Sequence, residues 1–215
     1  MPTEPPVKRA VAFFDGQSLF HCAKGAFGYT WANYDPVKLA TAICVQQAWK
    51  LAQTRFYTGI HTPQGNAYLH GLWKNKLSVL GRQPNIHIFS RPLRYRQKTV
   101  ELPDGSIHTF DTAEEKGVDV RLALDLIRLA MRAQYDVALV FSQDQDLSEA
   151  ADEVRAISME QRRWIKIASA FPVGAAGGNA HGINKTDWIP IDKALYETCI
   201  DHRDYRPKPT GGAHP

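Results

Sequence analysis

Two short runs without a charged residue, Ala10–Phe14 and Val137–Phe141, each stop at acidic residues. Asp15-Gly16 follows the first, and Ser142-Gln143-Asp144-Gln145-Asp146 follows the second. Apolar runs this short, closed by turn formers, read as buried strands of a sheet covered on both faces. If the strands are parallel, their carboxyl ends share one edge, where ligands of α/β proteins bind. A third acidic stretch, Glu115-Lys116-Gly117-Val118-Asp119, opens a long amphipathic segment. Carboxylates gathered at one edge repel one another unless a cation neutralises them.

The intervening segments set the architecture. Asp35-Pro36 gives an N-cap with proline at the first helical position, predicting a helix to about Trp49. Gly65–Leu80 carries Leu69, Leu72, Trp73, Leu77 and Leu80 at helical spacing. Helices are also expected over Gln17–Lys24, Val118–Ala133 and Leu147–Ile157, and strands over Leu51–Ile60, Ile86–Phe89, Trp164–Phe171 and Trp188–Ile191. Lys98–Leu102 and Ser106–Phe110 flank Pro103-Asp104-Gly105, the signature of a hairpin within an excursion at about 91–110. The order β-α-α-β-α-β-hairpin-α-β-α-β predicts a three-layer α/β/α sandwich with a mostly parallel sheet. At 215 residues one domain is expected, over 9–205, with a Pro-rich flexible arm at 1–8 and a disordered tail at 206–215. Gly174, Gly177, Gly178 and Gly182 mark a mobile loop.

A net charge of +4 permits a polyanionic partner without demanding one. Three cysteines, Cys22, Cys44 and Cys199, share no metal-ligand spacing and suit a reducing compartment. No leader pattern stands at the Pro-rich start, and Ala10–Phe14 is too short to span a bilayer. A cytoplasmic chain without membrane contact is expected.

Each acid has a structural reading beside the chemical one. Asp15 and Asp146 are candidate helix N-caps, and Asp119 suits the positive end of a helix. Only one of Asp144 and Asp146 can be the cap, so the other needs a counter-charge. Lys116 supplies a cation for an acid or a phosphate. The candidate ligands are all hard oxygens, which suits Mg²⁺ or Mn²⁺ rather than zinc. Such a site supports phosphodiester hydrolysis. Gly177–Gly182 has the gap of a phosphate loop, but Ile183 stands where lysine is needed, and no Gly-x-Ser-x-Gly elbow occurs. Arg91, Arg94, Arg96 and Lys98 around Tyr95 could track a phosphate backbone and stack a base, or form a solvated face. Arg162, Arg163 and Lys166 make a weaker basic cluster. Asp125, Asp136 and Asp152 read as surface or capping acids.

From about Val11 to Ile191 the chain resembles the NYN domain family of PIN-like nucleases. The resemblance rests on Glu115-Lys116-Gly117-Val118-Asp119-Val120, on Tyr135-Asp136-Val137 and the Ser-x-Asp-x-Asp stretch beyond it, and on Phe14-Asp15-Gly16-x-Ser18. It implies a Mg²⁺ site for RNA cleavage built from Asp15, Asp119, Asp144 and Asp146. Asp15, Asp119 and Asp144 would be ligands, Asp146 an outer-sphere ligand or base, and Lys116 an orienting cation. Ser18 and Ser142 join the basic segment on the substrate side, and Asp187 precedes the strand that approaches the site. Ser18 replaces a common asparagine, and Gln143 and Gln145 stand where small residues are usual. The expected activity is metal-dependent ribonuclease action on single-stranded or structured RNA, leaving a 5′-phosphate. A homodimer stays open. The alternatives are a non-catalytic RNA- or nucleotide-binding module and a small-molecule, possibly redox, enzyme on the same fold.

Overall fold

A computed structural model describes residues 2–175, 177 and 180–207; Gly178 of the glycine loop and tail residues 208–215 lie outside the described residues. The elements are β1 (Lys8–Asp15), α1 (Gly16–Phe27), α2 (Pro36–Gln46), β2 (Trp49–Ile60), α3 (Pro63–Leu80), β3 (Ile86–Pro92), β4 (Arg94–Glu101), β5 (Ile107–Glu114), α4 (Val118–Met131), β6 (Val137–Phe141), α5 (Leu147–Glu160), β7 (Lys166–Pro172), β8 (Asp187–Ile191) and α6 (Lys193–Thr198). Six strands form one parallel sheet in the order β3-β2-β1-β6-β7-β8, and β4 and β5 pair apart as an antiparallel hairpin.

The apolar runs are apolar throughout because both faces of the sheet are covered. Alternate residues of β1 divide between two cores. Ala10, Ala12 and Phe14 pack with Leu19, Leu39 and Ile43 of α1 and α2, while Val11 and Phe13 pack with Leu122, Leu126 and Val154 of α4 and α5. Phe14 stacks on Phe141 across the β1–β6 pair, with ring centroids 3.9 Å apart. Burying each such ring contributes roughly 1.5–3 kcal/mol.

β1 leads to β2 on one side, and β6 leads to β7 on the other, so the strand order reverses between the parallel β1 and β6. That reversal opens a crevice beyond their carboxyl ends. Phe14 lies level with Phe141, so Asp15 and Ser142 begin the two loops side by side.

Several boundaries differ from expectation, each for a local reason. Ala48, at φ 55°, turns the chain out of α2 early and lets β2 begin at Trp49. α3 breaks at Asn66, whose side-chain oxygen accepts from Leu69 N at 2.9 Å and restarts the helix. The hairpin spans 94–114 rather than 91–110, and Arg91 belongs to the end of β3. Its mostly exposed strands bury no face whose periodicity would mark their true ends. No helix among the described residues is long and apolar enough to cross a membrane.

Candidate metal centre

Asp15 ends β1 and caps α1, its Oδ1 accepting from Ser18 N at 3.0 Å. Its Oδ2 accepts from Ser142 Oγ at 3.3 Å, and that hydroxyl lies 3.2 Å from Ser18 Oγ. Ser142 Oγ also accepts from Asp144 N at 3.1 Å, so one buried hydroxyl links the β1 and β6 loops. The capping and chemical readings of Asp15 are therefore compatible.

Asp144 rather than Asp146 organises the second loop. Asp144 Oδ1 accepts from Asp146 N at 3.0 Å, while Asp146 stands exposed at the start of α5 without a side-chain cap bond. Gln143 and Gln145 do not crowd the acids. Gln143 binds Cys22 Sγ at 2.8 Å and His181 O at 2.5 Å. Gln145 donates to Gly182 O and accepts from Asn184 N, both at 3.0 Å. The two amides fasten the β7–β8 connection to this loop.

Asp119 lies in the first turn of α4, half-buried. Gly117 makes that entry possible. It holds φ 71°, and a Cβ there would come 2.8 Å from Arg91 Nη1. Two residues earlier, Glu115 accepts from Gly59 N at the carboxyl end of β2. Gly59 is itself pressed between Leu93 and Glu115, leaving no room for a side chain.

These acids act on one another electrostatically. Burial pushes the Asp15 carboxyl up to about 6, with Asp144 and Asp119 adding to the rise against the Ser18 and Ser142 bonds. Burial, with Asp15 and Asp119 nearby, pushes Glu115 up to about 7. Glu115 is the site residue that the sequence reading left without a role. Its place four residues before Asp119 was the available signal. Among the described residues no three His, Cys, Asp or Glu side chains stand close enough to hold a metal ion as they are. The donors are hard oxygens, which fits a magnesium-type cation, and coordination requires them to draw inward.

The basic residues are spread more widely. Lys116 is exposed beside Glu115, and Arg91 reaches the Gly117 turn with its guanidinium 5.4 Å from the Phe89 ring centre. Arg94, Arg96 and Lys98 are exposed on β4, the last two 3.7 and 3.5 Å from Glu114. Tyr95 is not a free stacking ring. Its hydroxyl lies 2.7 Å from His61 Nδ1 and its ring packs on Gly65, which fixes the hairpin base to α3.

Three acids correct the sequence reading. Asp125 is 3% exposed rather than on the surface. It accepts from Arg55 Nη2 and Tyr57 OH, both at 2.9 Å, and pairs with Arg121 at 3.0 Å. Asp125 shares the apolar face of Leu122 and Leu126, and Arg55 and Tyr57 share one face of β2, so the network was detectable. Asp136 is buried at the amino edge of the sheet on Arg9, with Arg163 nearby. Asp187 opens β8 at that same amino edge, paired with Lys166 at 2.7 Å, away from the acids it was expected to approach. The Arg163–Lys166 cluster is thus structural: Arg163 donates to Tyr135 O and Ala130 O at 2.6 Å.

The NYN domain model matches residues 9–160, which include every acid of this edge. The chain belongs to the NYN domain family. That membership makes it a PIN-like, nuclease-type domain, and the sandwich with its parallel sheet is consistent with the PIN-like fold. No curated protein matches the sequence. Among solved structures, a Vibrio parahaemolyticus protein of unknown function is similar at 13% identity and TM-score 0.49, over 89% of this NYN chain and 97% of that one. Acinetobacter baumannii MurG is similar at 11% identity and TM-score 0.31, over 85% of this chain and 45% of that one. Neither likeness carries a functional conclusion.

Proposed function

We propose that this NYN domain is a Mg²⁺- or Mn²⁺-dependent ribonuclease working at the carboxyl edge of β1 and β6. The supporting observation is the mutual repulsion of Asp15, Glu115, Asp119 and Asp144, with burial, at a topological switch point. Asp15, Asp119 and Asp144 are the proposed ligands. When bound, the ion would activate water and neutralise charge on the cleaved phosphate. Ser18 and Ser142 hold the two oxygens of Asp15 in fixed directions, so Asp119 and Asp144 are the ligands that must draw inward on binding. Glu115, titrating near neutrality, is suited to take the proton of the attacking water. Arg91 and Lys116 border the acids and suit the phosphates of a strand crossing the edge, with Arg94, Arg96 and Lys98 tracking the strand beyond. RNA is the proposed substrate and a reducing cytoplasm the proposed setting.

The test is cleavage of labelled single-stranded RNA with Mg²⁺, Mn²⁺ or EDTA, resolved on a denaturing gel. The reading expects metal-dependent products ending in a 5′-phosphate, lost in Asp144→Asn. RNA binding without any metal-dependent cleavage would make the domain a binding module instead.

A further inference from the structure

A cavity of about 960 Å³ opens beside the acidic edge, reaching Gly16 and Gly59, the neighbours of Asp15 and the partner of Glu115. That volume lies at the upper end of the roughly 300–1,000 Å³ typical of small-ligand sites. The phosphodiester chemistry proposed above does not use it. Its walls come from α1, the 28–35 loop, α3 and the segment 200–206.

The lining combines planar rings with cations. Trp31 is 64% exposed and Tyr68 53% exposed, although each is a large ring with much to gain from cover. Trp73 lines the wall, and its ring centre lies 5.9 Å from Lys76 Nζ. Lys76 is 3% exposed, held by Ala32 O at 2.6 Å and Tyr34 O at 3.3 Å and flanked by the Tyr34, Trp73 and Tyr205 rings. An ammonium has three donors, and two are used here, leaving one for an acceptor on a ligand. At the rim Arg203 and Arg206 stand beside Asp201 and Asp204, with Arg206 paired to Asp204 at 2.7 Å, so Lys76 is the cation the cavity itself offers.

We infer that this cavity receives an unpaired base of the RNA strand, stacked on Trp31 and Tyr68, with Lys76 donating to an acceptor atom on the base edge, a ring nitrogen or a carbonyl, while the adjoining phosphates lie at the acidic edge. The inference rests on the RNA-cleaving reading for the strand's position and deepens it: the substrate is single-stranded where it crosses the site. Aromatic rings hold bases of any sequence because every base has a π-face, so preference for unpaired over paired RNA is expected rather than sequence choice. The cavity is continuous with the acids through Gly16, next to Asp15, and Gly59, which donates to Glu115.

The intact chain is tested in EDTA, where cleavage is silent. Labelled single-stranded RNA and the same sequence as duplex are titrated with wild type, Trp31→Ala and Tyr68→Ala. Both rings are exposed, so neither change should unfold the protein. Each variant should weaken single-strand binding about tenfold and leave duplex binding unchanged. In parallel, quenching of tryptophan fluorescence should show AMP binding and no binding of ribose 5-phosphate. Unchanged single-strand affinity in both variants, equal loss for duplex, or equal binding of AMP and ribose 5-phosphate would overturn the base site. If wild type binds no RNA but binds AMP through Trp31, the cavity is a base site and the RNA-cleaving reading falls alone. If wild type binds neither, the base site itself is refuted.

Discussion

Asp15 and Asp136 belong to neighbouring strands, one at the carboxyl end of β1 and the other just before the amino end of β6, and each is 8% exposed. Burial pushes both carboxyls upward, yet they finish on opposite sides of the ordinary value. Arg9 gives Asp136 a bidentate partner and a backbone N–H, and these outweigh burial. Asp15 has only a backbone N–H and a hydroxyl, and it faces Asp144 and Asp119. Asp125, clasped by Tyr57, Arg55 and Arg121, behaves like Asp136. The fold therefore neutralises its structural acids with its own arginines, whereas Asp15 is met by a backbone N–H, a hydroxyl and other carboxylates. A buried acid with an arginine holds the molecule together; buried acids facing one another are suited to an outside cation.

The contrast can be broken most sharply through activity. Asp15→Asn or Asp144→Asn should lower RNA cleavage by about 100-fold or more, a loss typical of removing a group that stabilises transition-state charge. Comparable rates in Asp144→Asn and wild type would dissolve the distinction. Stability should respond in the reverse order. Asp125→Ala leaves two arginines without their buried partner and should cost roughly 3 kcal/mol in urea unfolding. Asp136→Ala should cost about 2 kcal/mol, because Arg9 is half exposed and regains water. Asp144→Asn relieves repulsion and should leave metal-free stability unchanged or raised by under about 1 kcal/mol.

Titration separates the two kinds of acid by sign. Asp15 rises from 3.8 to about 6 and Glu115 from 4.5 to about 7, so the folded state holds more protons than the unfolded one between those values. Metal-free stability should therefore fall as pH rises from about 4 to 7, by roughly 2 kcal/mol from Asp15. Asp125 and Asp136 are depressed, so their contribution is present above the ordinary carboxylate range and is lost as pH drops through their folded values. Thermal unfolding across pH 3–8 in EDTA should peak between these limbs. A monotonic rise to pH 7 would mean the carboxyl-edge acids are not under mutual strain.

Much of this was legible in the chain. The runs Ala10–Phe14 and Val137–Phe141 fixed two central strands, because a strand buried on both faces has no polar alternation to confuse it. Asp35-Pro36 likewise marked α2 by local chemistry alone. The hairpin ends were misjudged because β4 and β5 bury little, and Asp125 was misplaced because a charge was read as exposed without seeking its partner. The cavity was beyond reach for a different reason. Leu69, Leu72 and Trp73 have core spacing, yet they line an open space whose far wall, at 200–206, lies far off in sequence. Gln143 and Gln145 stood out only as large residues where small ones are usual, and only the fold shows the loop they fasten.

The central claim is that the carboxyl-edge acids form one cation site, and calorimetric titration of Mn²⁺ at pH 7 tests it most directly. Wild type should bind a single ion with release of protons, because Asp15 and Glu115 are partly protonated there and must ionise. Buffers of different ionisation enthalpy reveal that release. Binding should vanish in Asp15→Asn and survive in Asp136→Asn. No Mn²⁺ binding by wild type, or equal binding by Asp15→Asn, would contradict the account.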